Sequence, residues 1–217
     1  MAFRDRTDAG RQLAEALLPL AREHPVVLAL PRGGVPVAAE IARRLAAPLD
    51  LLIVRKLGVP GHAEYAMGAV ADAEPPVVVR HDDTIRALAI PKPAFDAVLA
   101  AETAEARRRR ERYLGGRPHQ PLADRTAILV DDGIATGASM QAALQALRQA
   151  RPRRVVLAVP VASTRALDLL RPEADEIVCL LPRPDLGSIG AWYDAFPQLE
   201  DAEVTRLLEA AAVPPPS

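Results

Sequence analysis

Ala127-Ile-Leu-Val-Asp131-Asp132-Gly133-Ile-Ala-Thr136-Gly137-Ala-Ser139 begins as an apolar strand, ends on two adjacent acids, and passes through a Gly/Thr/Ser loop into a helix carrying Met140 and Leu144. Adjacent carboxylates at a strand end can accept hydrogen bonds from the two vicinal hydroxyls of a ribose. A glycine-containing loop lets successive backbone N–H groups wrap a phosphate at a helix N-terminus. Thr136 and Ser139 add hydroxyl donors to the same anion. The chain supplies a control, because Asp82-Asp83 is also a pair but is read as lacking both a strand before it and a glycine loop after it. That second pair reads as the start of a helix. An apolar run ending in Asp-Asp also suits the Walker B strand of a P-loop NTPase or the acidic pocket of a phospho-receiver domain. No G-x-x-x-x-G-K-[ST] occurs in the chain, and a receiver's acids would follow the first strand and not the third.

Outward from this segment, short apolar runs alternate with helical patterns. Val26–Leu30, Leu49–Val54, Ala127–Val130, Val155–Val159 and Ile177–Leu181 are apolar on both faces, as parallel strands between two helix layers must be. Helical spacing joins Val37, Ile41 and Leu45, then Met140, Leu144 and Leu147, with a shorter stripe at Ala166, Leu167 and Leu170. An earlier helix carries Leu13, Leu17, Leu20 and Ala21, and Asp201 is positioned to cap a last one containing Val204, Leu207 and Leu208. The alternation predicts an α/β fold, a doubly wound and mainly parallel five-stranded sheet whose ligand sits at the carboxyl ends of the strands. One domain over 1–217 is expected, with 57–118 as a hood and helical insertion and 182–217 as a C-terminal hood and tail whose end, Val213–Ser217, is frayed. Within the insertion, a charged helix from about Ala94 to Tyr113 carries the run Arg107–Arg110. Glu102, Glu105 and Glu111 share it, so a solvated face is expected and not a nucleic-acid surface.

The composition narrows the class. With 217 residues, half of them apolar, the chain can bury one substantial core, and 27 basic against 28 acidic side chains leave no global bias toward nucleic acid or an anionic membrane. The single cysteine, Cys179, excludes an intramolecular disulfide framework and reads as a buried, inert thiol. No apolar stretch approaches a membrane span, and Arg4, Asp5 and Arg6 stand where a signal peptide would be apolar, so a cytoplasmic protein is expected.

Val130–Ser139 resembles the phosphoribosylpyrophosphate signature of type I phosphoribosyltransferases, in which two acids precede a loop ending Thr-Gly-x-Ser/Thr. Pro31-Arg32-Gly33-Gly34, after the first strand, is similar to that family's pyrophosphate loop, and Arg55-Lys56, after the second, resembles a basic pair that also faces pyrophosphate. Residues 4–205 as a whole look like a bacterial subgroup of predicted phosphoribosyltransferases of uncertain substrate, through Leu30-Pro-Arg-Gly-Gly-Val-Pro-Val37, Val54-Arg-Lys-Leu-Gly-Val-Pro-Gly61 and Gly190-Ala-Trp-Tyr193.

The resemblance implies transfer of a 5-phosphoribosyl group from phosphoribosylpyrophosphate to a nitrogen of a nucleobase or related acceptor, as in purine or pyrimidine salvage. Asp131 and Asp132 would hold the ribose, and Arg32 and Lys56 the leaving pyrophosphate. The backbone of Gly133, Ile134, Ala135, Thr136, Gly137, Ala138 and Ser139 would hold the 5′-phosphate, and Gly33, Gly34 and Arg55 would complete the pyrophosphate side. Mg²⁺ is expected through substrate and water near the two acids, with no direct protein ligand. Taken alone, Gly33-Gly34 fits an anion-binding turn and an ordinary strand-to-helix turn equally well.

For the acceptor, Trp192, Tyr193 and Phe196 offer a flat stacking surface or, equally, pack the C-terminal helix, and His62, Glu64 and Tyr65 offer polar groups. Ala135 replaces the acid that 6-oxopurine transferases carry there, so hypoxanthine and guanine are disfavoured. The alternatives are a regulator of the same fold that binds phosphoribosylpyrophosphate or a nucleotide without catalysis, and a phosphoribosyl-binding hydrolase or phosphorylase. A homo-oligomer is left open.

Overall fold

The computed structural model describes residues 2–73 and 75–211, with the side chains of 63 and 64 excepted. The Glu64 side chain and the tail Val213–Ser217 therefore lie outside the described residues. Five parallel strands, β1 (Val26–Ala29), β2 (Leu49–Leu51), β6 (Thr126–Val130), β7 (Arg154–Ser163) and β8 (Glu176–Arg183), form the main sheet in the order β2-β1-β6-β7-β8. Alternate residues of each strand enter two different cores. Val27, Ala29, Ile128, Val130, Val156 and Ala158 pack under α1 (Arg6–Leu17), α2 (Gly34–Leu45) and α7 (Asp201–Ala211). Val26, Leu28, Ala127, Leu129, Val155 and Leu157 pack under α5 (Ala138–Gln149) and α6 (Thr164–Leu170). Burial on both faces is why these strands read as unbroken apolar runs.

Between β2 and β6 the chain leaves this sheet. It forms an antiparallel sheet of β3 (Val54–Val59), β4 (His62–Ala71) and β5 (Val77–Arg80), then α3 (Asp82–Ala87) and α4 (Lys92–Leu114). The expected strand Leu49–Val54 is thus two elements. Leu52 and Ile53 stay buried in different cores while the chain passes from one sheet to the other, so apolarity alone does not separate a strand from a buried crossing. Asp82 does open a helix, but β5 ends at Arg80 just before it, so the missing glycine loop and not a missing strand sets that pair apart, and its side chains are exposed where Asp132 is buried.

Strand β7 runs on past Pro160, where the apolar run had suggested an end. Its ladder to β8 skips the proline and resumes at Val161↔Leu181, beyond the last β6 partner, Val130↔Ala158. Helix α1 stops at Leu17, and Leu20 and Ala21 lie in a 3-10 turn, Leu18–Glu23, begun around Pro19. Asp201 is the first residue of α7, and its carboxylate is taken by Tyr113 and Arg112 instead of capping the helix.

The solvated face expected for the arginine run fails at one residue. Arg109 pairs with Glu105 at 2.8 Å as the spacing predicts, but Arg110 is buried against Asp50, 3.0 Å away. Cys179 is only half-buried, and burial pushes its thiol up. Among the described residues, no helix is long and apolar enough to cross a membrane.

Candidate active site at the carboxyl ends of β1 and β6

Strands β1 and β6 are neighbours in register, Ala29↔Val130, and the Leu30 N–H donates to the Val130 carbonyl at 3.0 Å. The loops that follow them must therefore leave the sheet side by side. The Pro31–Arg32 peptide bond is cis, and Gly34 begins α2. A Cβ built on Gly33 would lie 2.2 Å from Asp132 Oδ2, and one on Gly34 would lie 2.6 Å from the Val130 carbonyl oxygen. Both contacts are far inside van der Waals distance. The glycine pair is fixed by the close approach of the two loops, which goes beyond the needs of a turn.

Asp132 is 8% exposed. Its Oδ2 accepts from Arg6 Nε at 2.7 Å, and its backbone carbonyl accepts from the Tyr193 hydroxyl at 2.6 Å. Arg6 also donates to the Pro197 carbonyl at 2.8 Å, and its guanidinium lies 3.7 Å over the Phe196 ring. Asp131 Oδ1 accepts from the Asp132 amide at 2.9 Å. Burial pushes both acids above the usual carboxylate range. For Asp131 the neighbouring Asp132 charge adds to the rise, and for Asp132 the Arg6 guanidinium opposes it.

In the sequence Arg6 stands out only as one of the N-terminal charges and not as a residue of the site. Its only local sign is a cation in the first turn of a helix, where the macrodipole disfavours one.

The loop 133–139 leaves the acids toward β7. Ile134 bridges Ala162, and the Ala135 carbonyl accepts from Ser163 Oγ at 2.6 Å. Ala135, Thr136, Ala138 and Ser139 are exposed, Gly137 turns with φ 84°, and α5 starts at Ala138 with no side-chain cap. Uncapped first-turn amides flanked by two hydroxyls can hold an anion.

The expected basic pair divides. Successive side chains of a strand point to opposite faces. Arg55 faces α4 and binds Glu102 at 2.7 Å, while its neighbour Lys56 is exposed. Arg32 is partly buried, with Nη1 3.7 Å from Asp201 Oδ1.

The aromatic group divides as well. Tyr193 is buried, with ring centroids 5.4 Å from Phe3 and 4.9 Å from Phe196, so its ring is not an open stacking face. Trp192 is half-buried, donates to the Leu186 carbonyl at 2.9 Å, and carries the Arg183 guanidinium 4.3 Å from its ring centroid. His62 and Tyr65 lie on β4, and Tyr65 is exposed.

The family described as phosphoribosyl transferase domain matches residues 5–185. A Mycobacterium tuberculosis protein named "Putative phosphoribosyl transferase" is 47% identical over 209 residues, which cover 96% of this chain and 47% of that protein. The chain thus spans about half the length of the curated relatives it matches. The crystal structure of TT1426 from Thermus thermophilus superposes with a TM-score of 0.86 at 46% identity, covering 98% of this chain and 100% of that one. A purine phosphoribosyltransferase from Pyrococcus horikoshii aligns at 17% identity with a TM-score of 0.46, covering 90% and 93% of the two chains.

Proposed function

The chain belongs to the phosphoribosyl transferase domain family, and on that premise we propose that it transfers the 5-phosphoribosyl group of phosphoribosylpyrophosphate to a nitrogen of a nucleobase or related acceptor. The observation that carries this reading is the contact of Gly33 with the Asp132 carboxylate. It brings a glycine loop bearing an arginine, an acid pair and an uncapped helix start together at the carboxyl ends of adjacent strands. Each part suits one portion of a ligand that has a phosphate, a diol and a pyrophosphate.

The amides and hydroxyls of Gly133–Ser139 take the 5′-phosphate, a group remote from the chemistry whose binding positions the reacting carbon. Asp131 and Asp132 accept from the ribose hydroxyls, and Arg6 holds the Asp132 carboxylate in place. Arg32 meets the pyrophosphate as negative charge grows on it, and Lys56 is the second cation proposed for that side. The acceptor nitrogen bonds to the anomeric carbon as the carbon–oxygen bond to pyrophosphate breaks, and the nitrogen's proton passes to water. Among the described residues Arg6 pairs with Asp132 alone, so the acid pair is short of positive charge, and Asp131 and Asp132 would suit a hydrated Mg²⁺ beside them. When bound, it supplies Lewis-acid stabilisation of the leaving group.

Calorimetry and thermal melting with phosphoribosylpyrophosphate and Mg²⁺ test the proposal. A ligand at ~100 times its Kd stabilises the fold by about 2.7 kcal/mol, and the variant carrying Asp131→Asn and Asp132→Asn should lose that gain. No heat and no shift at millimolar ligand, with the double variant behaving like the parent, would overturn it.

A further inference from the structure

Among the described residues, every arginine that is at least partly buried donates a hydrogen bond to a carboxylate or a backbone carbonyl, with two exceptions, Arg32 and Arg183. Arg32 has a carboxylate at 3.7 Å; Arg183 has none within 4 Å, and its Nε is buried without a partner. A guanidinium drawn partly out of water with no counter-charge is unfavourable unless something else supplies the anion. Arg32 already has such an assignment, the pyrophosphate.

Two independent connections tie Arg183 to the loops that carry the acids. It is the last residue of β8 and lies opposite Ser163, whose hydroxyl holds the Ala135 carbonyl. Ala135, Ser163 and Arg183 therefore follow one another across the carboxyl edge of the sheet, a span of about 10 Å at the usual strand spacing. The turn after β8 also returns to the acids. A Cβ on Gly133 would meet the Ile189 side chain at 2.5 Å, Tyr193 binds the Asp132 carbonyl, and Trp192, between them, carries Arg183 on its ring.

We infer that the acceptor is a ring bearing a carboxylate, and that the Arg183 guanidinium, backed by Trp192, binds that carboxylate. The inference rests on the phosphoribosyl-transfer reading above. The strand order places the pyrophosphate loop after β1, on the far side of β6 from β8. The 5′-phosphate has its own loop amides, which leaves the acceptor as the ligand part on the Arg183 side. The methyl group of Ala135 adds no negative charge against it.

Trp192 is the chain's one tryptophan, so its fluorescence reports on this position directly. The protein is held with Mg²⁺ and ribose 5-phosphate and titrated with orotate, nicotinate and anthranilate, each against its uncharged counterpart, uracil, nicotinamide and aniline. At least one carboxylate should change the Trp192 emission saturably, with an affinity at least about 30-fold above its counterpart, and Arg183→Gln should remove that difference. The same variant should keep the phosphoribosylpyrophosphate-induced rise in melting temperature, which separates this test from that of the proposed function. Equal responses within every pair, no response to any carboxylate, or loss of phosphoribosylpyrophosphate binding in Arg183→Gln would each overturn the inference. The last outcome would move Arg183 to the sugar phosphate. Failure of the parent itself to bind phosphoribosylpyrophosphate would remove the premise.

Discussion

The guanidinium of Arg6 lies 2.7 Å from Asp132, whereas among the described residues no ion pair reaches Asp131. The acid pair is therefore unequal before any ligand arrives, and burial raises Asp131 well above the usual carboxylate range. The folded state keeps a proton on Asp131 at pH values where the unfolded chain has lost it, so stability falls as pH rises from about 4 toward the raised value. Asp131→Asn removes that cost. It should melt higher than the parent at neutral pH, with the gap closing toward about pH 4, while binding of phosphoribosylpyrophosphate weakens. Melting curves across that range decide it, and a variant that melts lower at neutral pH would show that the pair is not a stored cost. Asp131 and Asp132 were legible from their place in the sequence. Arg6 was not, because 126 residues separate it from the carboxylate it holds.

At the scale of elements, α4 shows how one run of identical side chains can hold different roles. Arg108 lies over Glu105 on the exposed side, whereas Arg110 reaches Asp50 of β2 and lies 3.7 Å from Asp72, just past the end of β4. Asp50 also accepts from the Gln120 amide at 2.8 Å, so Arg110 ties the main sheet, the antiparallel sheet and the segment before β6 together. Removing one partner of a buried pair strands the other charge, at about 3–5 kcal/mol. Arg110→Ala should lower the unfolding free energy by that amount, and Arg108→Ala should leave it where it is. Equal effects in urea titrations would contradict the structure. The helix itself was legible from its length and charge pattern, but the buried arginine was not, since periodicity says which residues share a face and not what covers it. The same limit applied at Arg55-Lys56, where the basic pair was visible and the strand pleat that divides it was not.

On the scale of the whole molecule, residues 2–4 and 192–195 meet as a short parallel strap beside the acid loop. The Phe3 carbonyl accepts from the Asp194 N–H and the Arg4 carbonyl from that of Ala195, and the strap reaches the site through Arg6 and Tyr193. If these contacts open as a unit, ligand bound at 131–139 should slow amide exchange at Asp194 and Ala195 together with that at Asp132. Mass-resolved hydrogen exchange with and without phosphoribosylpyrophosphate and Mg²⁺ measures this. Protection confined to 131–139 would mean that the strap opens independently.

The sequence by itself determined the parallel sheet, its helix layers and the segment that ends on the acids, because strand burial on two faces and helix periodicity are local patterns of apolar residues. Tertiary structure alone decided which charges meet: Arg6 with Asp132, Arg110 with Asp50, and Arg183 left without a carboxylate. Ion pairing depends on distances between elements far apart in the chain, and those distances follow from the strand order and the paths of the connections, which no local pattern encodes.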